Sequence, residues 1–67
     1  MLKVGQIRRH SRMNSYFQIL ELEQNGRCTT ALIKNTSSGW VCKAHYLLEN
    51  QDGTIEWGYS TEGRFAS

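Results

Sequence analysis

The densest chemistry in the sequence is Arg8-Arg9-His10-Ser11-Arg12, which runs through Met13-Asn14-Ser15 into Tyr16-Phe17. A guanidinium presents a rigid fork of N–H donors that fits phosphate or carboxylate bidentately. Beside an aromatic ring, such a loop can hold a nucleic-acid strand, the arginines taking phosphates and the ring a base. Tyr16, Trp40 and Trp57 could each offer that ring. In a core this small one tryptophan should be buried, and the continuous apolar face around Trp40 makes it the one. Trp57 and Tyr59, with Tyr16 or Phe65, then form the exposed cluster. The expected binding residues are therefore Arg8, Arg9, His10, Arg12, Tyr16, Trp57 and Tyr59. An acidic protein surface would satisfy the same loop, and a solvated loop that keeps a small protein soluble is the plain alternative.

Other constellations promise less. Cys42-Lys43-Ala44-His45 has C-x-x-H spacing, and Cys28 with His10 could complete four zinc ligands. On a strand, however, Cys42 and His45 point to opposite faces, which defeats both metal binding and cysteine–histidine catalysis. Glu21, Glu23 and Glu56 could approach across a sheet, but they flank charged turns rather than a site where burial would raise a carboxyl pKa. Neither G-x-G-x-x-G nor G-x-x-x-x-G-K occurs. The expectation is a protein without catalytic residues, metal or cofactor.

Size and charge agree with this. The chain has 67 residues, no proline and a formal charge of +2. A chain of that length forms one domain, residues 1–67, with little room for a large enclosed pocket. The net charge conceals an asymmetry. Residues 1–34 carry six cations against two carboxylates, and residues 35–67 carry two against four. No apolar run is long enough to span a membrane, and the first residues lack the apolar stretch of a secretory signal. Two cysteines without an export signal point to reduced thiols and a cytoplasmic location.

Turn signals recur at Asn25-Gly26, at 35–39 and at 50–53, separated by short β-branched and aromatic runs. Strands are expected over 3–9, 16–23, 27–34, 40–48 and 54–59, with Gly5 a bend in the first and residues 60–67 an edge strand or frayed tail. Leucine and glutamate leave helix as the competing reading over 16–24 and 44–50, including a short helical turn near 46–50. Five short strands joined by tight turns predict an all-β, five-stranded antiparallel meander, curled into an SH3-like barrel or, second, an OB-like barrel. The opening Lys3-x-Gly5-Gln6-Ile7-Arg8-Arg9-His10 and the Asn-Gly hairpin resemble small SH3-like barrel proteins of phages and mobile elements.

Together these features suggest a small non-enzymatic binding module that takes nucleic acid through the basic loop and an aromatic face. The alternative is a protein-interaction module, an inhibitor or adaptor, acting through an aromatic patch or an exposed edge strand. A homodimer is a further expectation, since a small barrel with surplus aromatics gains buried area by pairing.

Overall fold

The computed structural model describes residues 1–66. Over these residues the chain is all-β, with seven strands: β1 (Ile7–Arg9), β2 (Tyr16–Asn25), β3 (Cys28–Asn35), β4 (Trp40–His45), β5 (Leu48–Glu49), β6 (Ile55–Glu56) and β7 (Tyr59–Phe65). Five form one antiparallel sheet in the order β1-β2-β3-β4-β7, and β5 pairs with β6 as a separate two-stranded flap. Strands β1 and β7 are the two edges, so the sheet is not closed.

Local chemistry explains the turns. Between β2 and β3, Gly26 alone takes a positive φ, 63°, so Gly26-Arg27 is the two-residue loop and glycine occupies its first position. Between β3 and β4, the Asn35 side-chain oxygen accepts N–H groups from Ser37 and Ser38, and Gly39 donates back to the Asn35 carbonyl. In the flap, Asp52 accepts from both the N–H and the hydroxyl of Thr54.

Strand alternation divides the sheet into two faces. The inner face carries Phe17 and Ile19 from β2, Ala31 and Ile33 from β3, and Cys42 and Ala44 from β4, all buried. Leu47 and Ile55 cover them from outside the sheet, with Leu2, Leu22 and Trp57 packed around the margin. Ile19, Ile33 and Ile55 are fully buried. Cutting one of them to alanine costs about 2–5 kcal/mol. A chain of this size has only about 3–10 kcal/mol of stability in total.

Three expectations change. The first strand begins at Ile7, and the residues before it cross the β2 edge, with Gly5 donating to the Ile19 carbonyl. There is no helical turn near 46–50. Tyr46 adopts a left-handed φ of 59°, which ends β4 and cannot belong to a right-handed helix. Leu47 then donates its N–H to the Thr29 carbonyl, and the chain enters β5. Finally, the segment 54–59 is not one strand: it splits at Trp57-Gly58 into β6 and the start of β7, and β7 runs on through Phe65 as a paired edge strand. Ser67, the last residue of the expected tail, lies outside the described residues.

Candidate functional site

The basic loop is the turn between β1 and β2, held by the His10 N–H on the Ser15 carbonyl. Arg8 stands opposite Phe17 in the ladder, on the core side of edge strand β1. Its guanidinium turns beneath the sheet edge, donating to Glu49 Oε2 at 2.8 Å, to the Gly53 carbonyl at 2.8 Å and to Gln6 Oε1 at 3.2 Å. This pairing holds the Glu49 carboxyl below its usual range. Arg9 folds back over its own loop, donating to the carbonyls of His10 and Met13. Of the three loop arginines, Arg12 is the one whose guanidinium makes no hydrogen bond or ion pair among the described residues. The expected three-arginine phosphate clamp thus presents one free fork, because the small fold uses the other two to hold its flap and its loop.

His10 is half-buried, edge-on to Trp57 with ring centroids 4.8 Å apart. Its Nδ1 accepts the Arg12 N–H. Burial lowers its pKa, Glu56 pulls in the opposite direction, and the charges of Arg12 and Arg9 lower it further.

The two tryptophans exchange their expected places. Trp57, in the link between β6 and β7, packs edge-on against Phe17 at 5.1 Å and belongs to the core margin. Trp40 is 39% exposed and lies edge-on to Phe65, which is 67% exposed. Alternation does place Trp40 on the side of Cys42 and Ala44, but at the end of β4 only edge strand β7 lies beside it. There its indole crosses Gly63 so closely that a Cβ on that residue would sit 2.0 Å from Trp40 Cζ2. Glycine is needed here because the ring lies on bare backbone.

Further along the same edge, Tyr59 stacks on His45 with centroids 4.6 Å apart and planes 16° apart, and Tyr46 leans in at 5.9 Å. His45 Nε2 is 2.7 Å from the Thr61 hydroxyl, which fixes the imidazole beneath the tyrosine. The outer face beside this stack carries Lys34, Val41 and Arg64 in one cross-strand row, and Leu32, Lys43 and Thr61 in the next. Lys43 Nζ lies 3.8 Å from Glu62, and Glu21 and Glu23 hold the far side of that face.

The residues expected to act together are therefore separated. Arg8, Arg9, His10, Arg12 and Tyr16 gather around β1, Trp57 lies inward of them, and Tyr59 stands on the opposite edge of the sheet. The exposed rings concentrate instead along β4 and β7, Trp40 with Phe65 on the inner side of this edge and Tyr59, stacked on His45 beside Tyr46, on the outer side. Sequence reasoning set Tyr59 with Phe65 in the exposed cluster but missed Trp40 and Tyr46, and so the extent of this grouping. Its one visible signal is the polar run Ser60-Thr61-Glu62 between aromatic Tyr59 and Phe65, a strand without an apolar face to bury.

Cys42 is buried on the inner face, where burial pushes its thiol pKa up against a hydrogen bond from Ser60. Among the described residues no three His, Cys, Asp or Glu side chains gather as a metal site. A cleft of about 550 Å³ opens between the β2–β3 hairpin tip and β5, floored by Leu22, Leu47 and Leu48. No buried side-chain polar atom among the described residues lacks a partner. Among the described residues no helix is long and apolar enough to cross a membrane. Compared with protein-family models, curated proteins and solved structures, the chain finds no match.

Proposed function

We propose that the protein is a non-enzymatic protein-interaction module, an inhibitor or adaptor, that works through the aromatic edge formed by β4 and β7. The observation that carries this reading is the exposure of Trp40, Tyr46, Tyr59 and Phe65 along one sheet edge. Aromatic rings with a neighbouring arginine are the side chains that dominate protein interfaces. Edge strand β7 supplies a backbone ladder to which a partner strand can add. The open five-stranded meander with its β5–β6 flap is read as a relative of SH3-like barrels, of the kind phages and mobile elements carry. Free Cys28 and Cys42 suit the reducing cytoplasm.

Nucleic acid is the second reading, favoured by Lys34 and Arg64 on either side of Val41, one row from Lys43 and two rows from Tyr59. The same face carries Glu21 and Glu23, and Glu62 lies against Lys43, so it lacks the single-signed stripe of a phosphate footprint. Affinity capture from nuclease-treated lysate, with wild type beside Tyr59→Ser and Phe65→Ser, tests the first reading. A partner that survives nuclease and is lost with either variant supports it. Capture abolished by nuclease, with oligonucleotide affinity falling steeply with salt and weakened by Lys34→Ala and Arg64→Ala, supports the second.

A further inference from the structure

We propose that the cleft between the β2–β3 hairpin tip and β5 binds a small monocarboxylic acid, its apolar chain on the leucine floor and its carboxylate on Arg27. The site shares no residue with the aromatic edge of β4 and β7 and stands independently of the interaction reading. At about 550 Å³ the cleft has the size of small-molecule sites, which combine an apolar lining with a few polar groups. Leu22 and Leu47 form its base, and Leu2 lies against the same core margin. Leu48 joins them with 55% of its surface exposed, an apolar side chain that the fold itself leaves uncovered. Its position follows from a strained turn. Tyr46 holds a φ of 59°, sparsely populated for a bulky side chain, and Leu47 then bonds the Thr29 carbonyl as the chain enters β5.

The polar groups around the cleft select the sign of the ligand. The Glu49 carboxylate is already taken by Arg8 at 2.8 Å. Glu23 stands on the outer face, opposite Thr30, and accepts from the Asn25 amide. Gln24 and Thr29 satisfy each other, the Thr29 hydroxyl donating to Gln24 Oε1 at 2.8 Å, and Gln24 Nε2 donates to the Gly26 carbonyl. That leaves Arg27, which lines the cleft and whose guanidinium makes no hydrogen bond or ion pair among the described residues. A guanidinium fork holds one carboxylate through two parallel hydrogen bonds. A phosphate would set its second charge against Glu23 and Glu49, so a single carboxylate is the better fit.

Titration of the isotope-labelled protein with octanoate, followed by amide NMR shifts, tests this. Saturating shifts are expected at Leu22, Thr29, Leu47 and Leu48, with a Kd of about millimolar for a ligand of about ten heavy atoms. Acetate, which lacks the chain, and octylammonium, which carries the opposite charge, should each bind about tenfold more weakly or worse. Arg27→Ala should weaken octanoate by about tenfold, and Arg27→Glu should reverse the preference towards octylammonium. Gly26, not Arg27, carries the positive φ of the turn, so the hairpin survives these changes. Leu48→Asn, also at an exposed position, should weaken octanoate several-fold, and the dispersion of the amide spectrum reports that each variant is folded. Octanoate shifts that never saturate, that centre on Trp40 and Phe65, or that Arg27→Ala leaves unchanged overturn the proposal. Octylammonium bound by wild type as tightly as octanoate overturns it equally.

Discussion

Arg8 and Glu49, forty-one residues apart in the chain, meet at 2.8 Å, and through this contact edge strand β1 holds the β5–β6 flap. The Arg8 side chain is only 19% exposed, and the same nitrogen also bonds the Gly53 carbonyl. The residue that looks most available for phosphate in the sequence is thus part of the scaffold.

Replacing Arg8 with alanine should destabilise the protein by about 2 kcal/mol, the usual worth of hydrogen bonds to a charged group. Arg8→Lys should recover only part of that loss, because one ammonium cannot span Glu49, Gly53 and Gln6 together. Urea denaturation of the three proteins measures the difference. A stability unchanged in Arg8→Ala would show that the flap is held by other contacts.

The tryptophans should respond in opposite ways. Trp57→Ala removes a ring packed on Phe17 and His10 and should cost about 3 kcal/mol, at the low end for tryptophan truncation because the ring is only partly buried. Trp40→Ala should change stability by less than about 1 kcal/mol, since that ring rests on an exposed edge. Thermal melts of the two variants side by side decide the matter, and equal losses would place both rings in the core.

At Gly63 the obstacle is the indole itself. Gly63→Ala forces a methyl group to where Trp40 now lies, so the ring must swing into solvent. The expected readout is a red shift of tryptophan emission that is absent when Gly63→Ala is made in a Trp40→Phe background. An unshifted spectrum would mean that the indole does not rest on this backbone.

His10 predicts how stability depends on pH. Its folded pKa lies below the ordinary 6.5, with burial the main cause. The unfolded chain therefore binds the proton more readily. The stability tied to neutral His10 is complete above pH 6.5 and is lost as the pH falls from there toward the folded pKa. Protonation at Nδ1 would also remove the acceptor for the Arg12 N–H. His10→Asn keeps an acceptor without the titration, so its melting temperature should fall less than that of wild type between about pH 7.5 and about pH 5. Parallel curves for the two proteins would exclude His10 as the source.

Local chemistry in the sequence determined the all-β class, the β2–β3 hairpin and the order of the turns. Asn25-Gly26, Asn35 to Gly39 and Asn50 to Gly53 fix backbone geometry through their own side chains and φ angles, whatever surrounds them. Alternation likewise placed Cys42 and Ala44 on the inner face. It could not tell that Trp40, on that same face, would stand at an uncovered end, because cover depends on which strand becomes the neighbour. Nor could spacing show that Arg8 would reach a carboxylate far along the chain, since a long flexible side chain finds its partner only after the sheet has formed. The left-handed turn at Tyr46 follows from the Leu47–Thr29 hydrogen bond, which no local propensity encodes. Which arginines remain free and which rings face solvent are long-range outcomes, and in so small a core tertiary packing alone decided them.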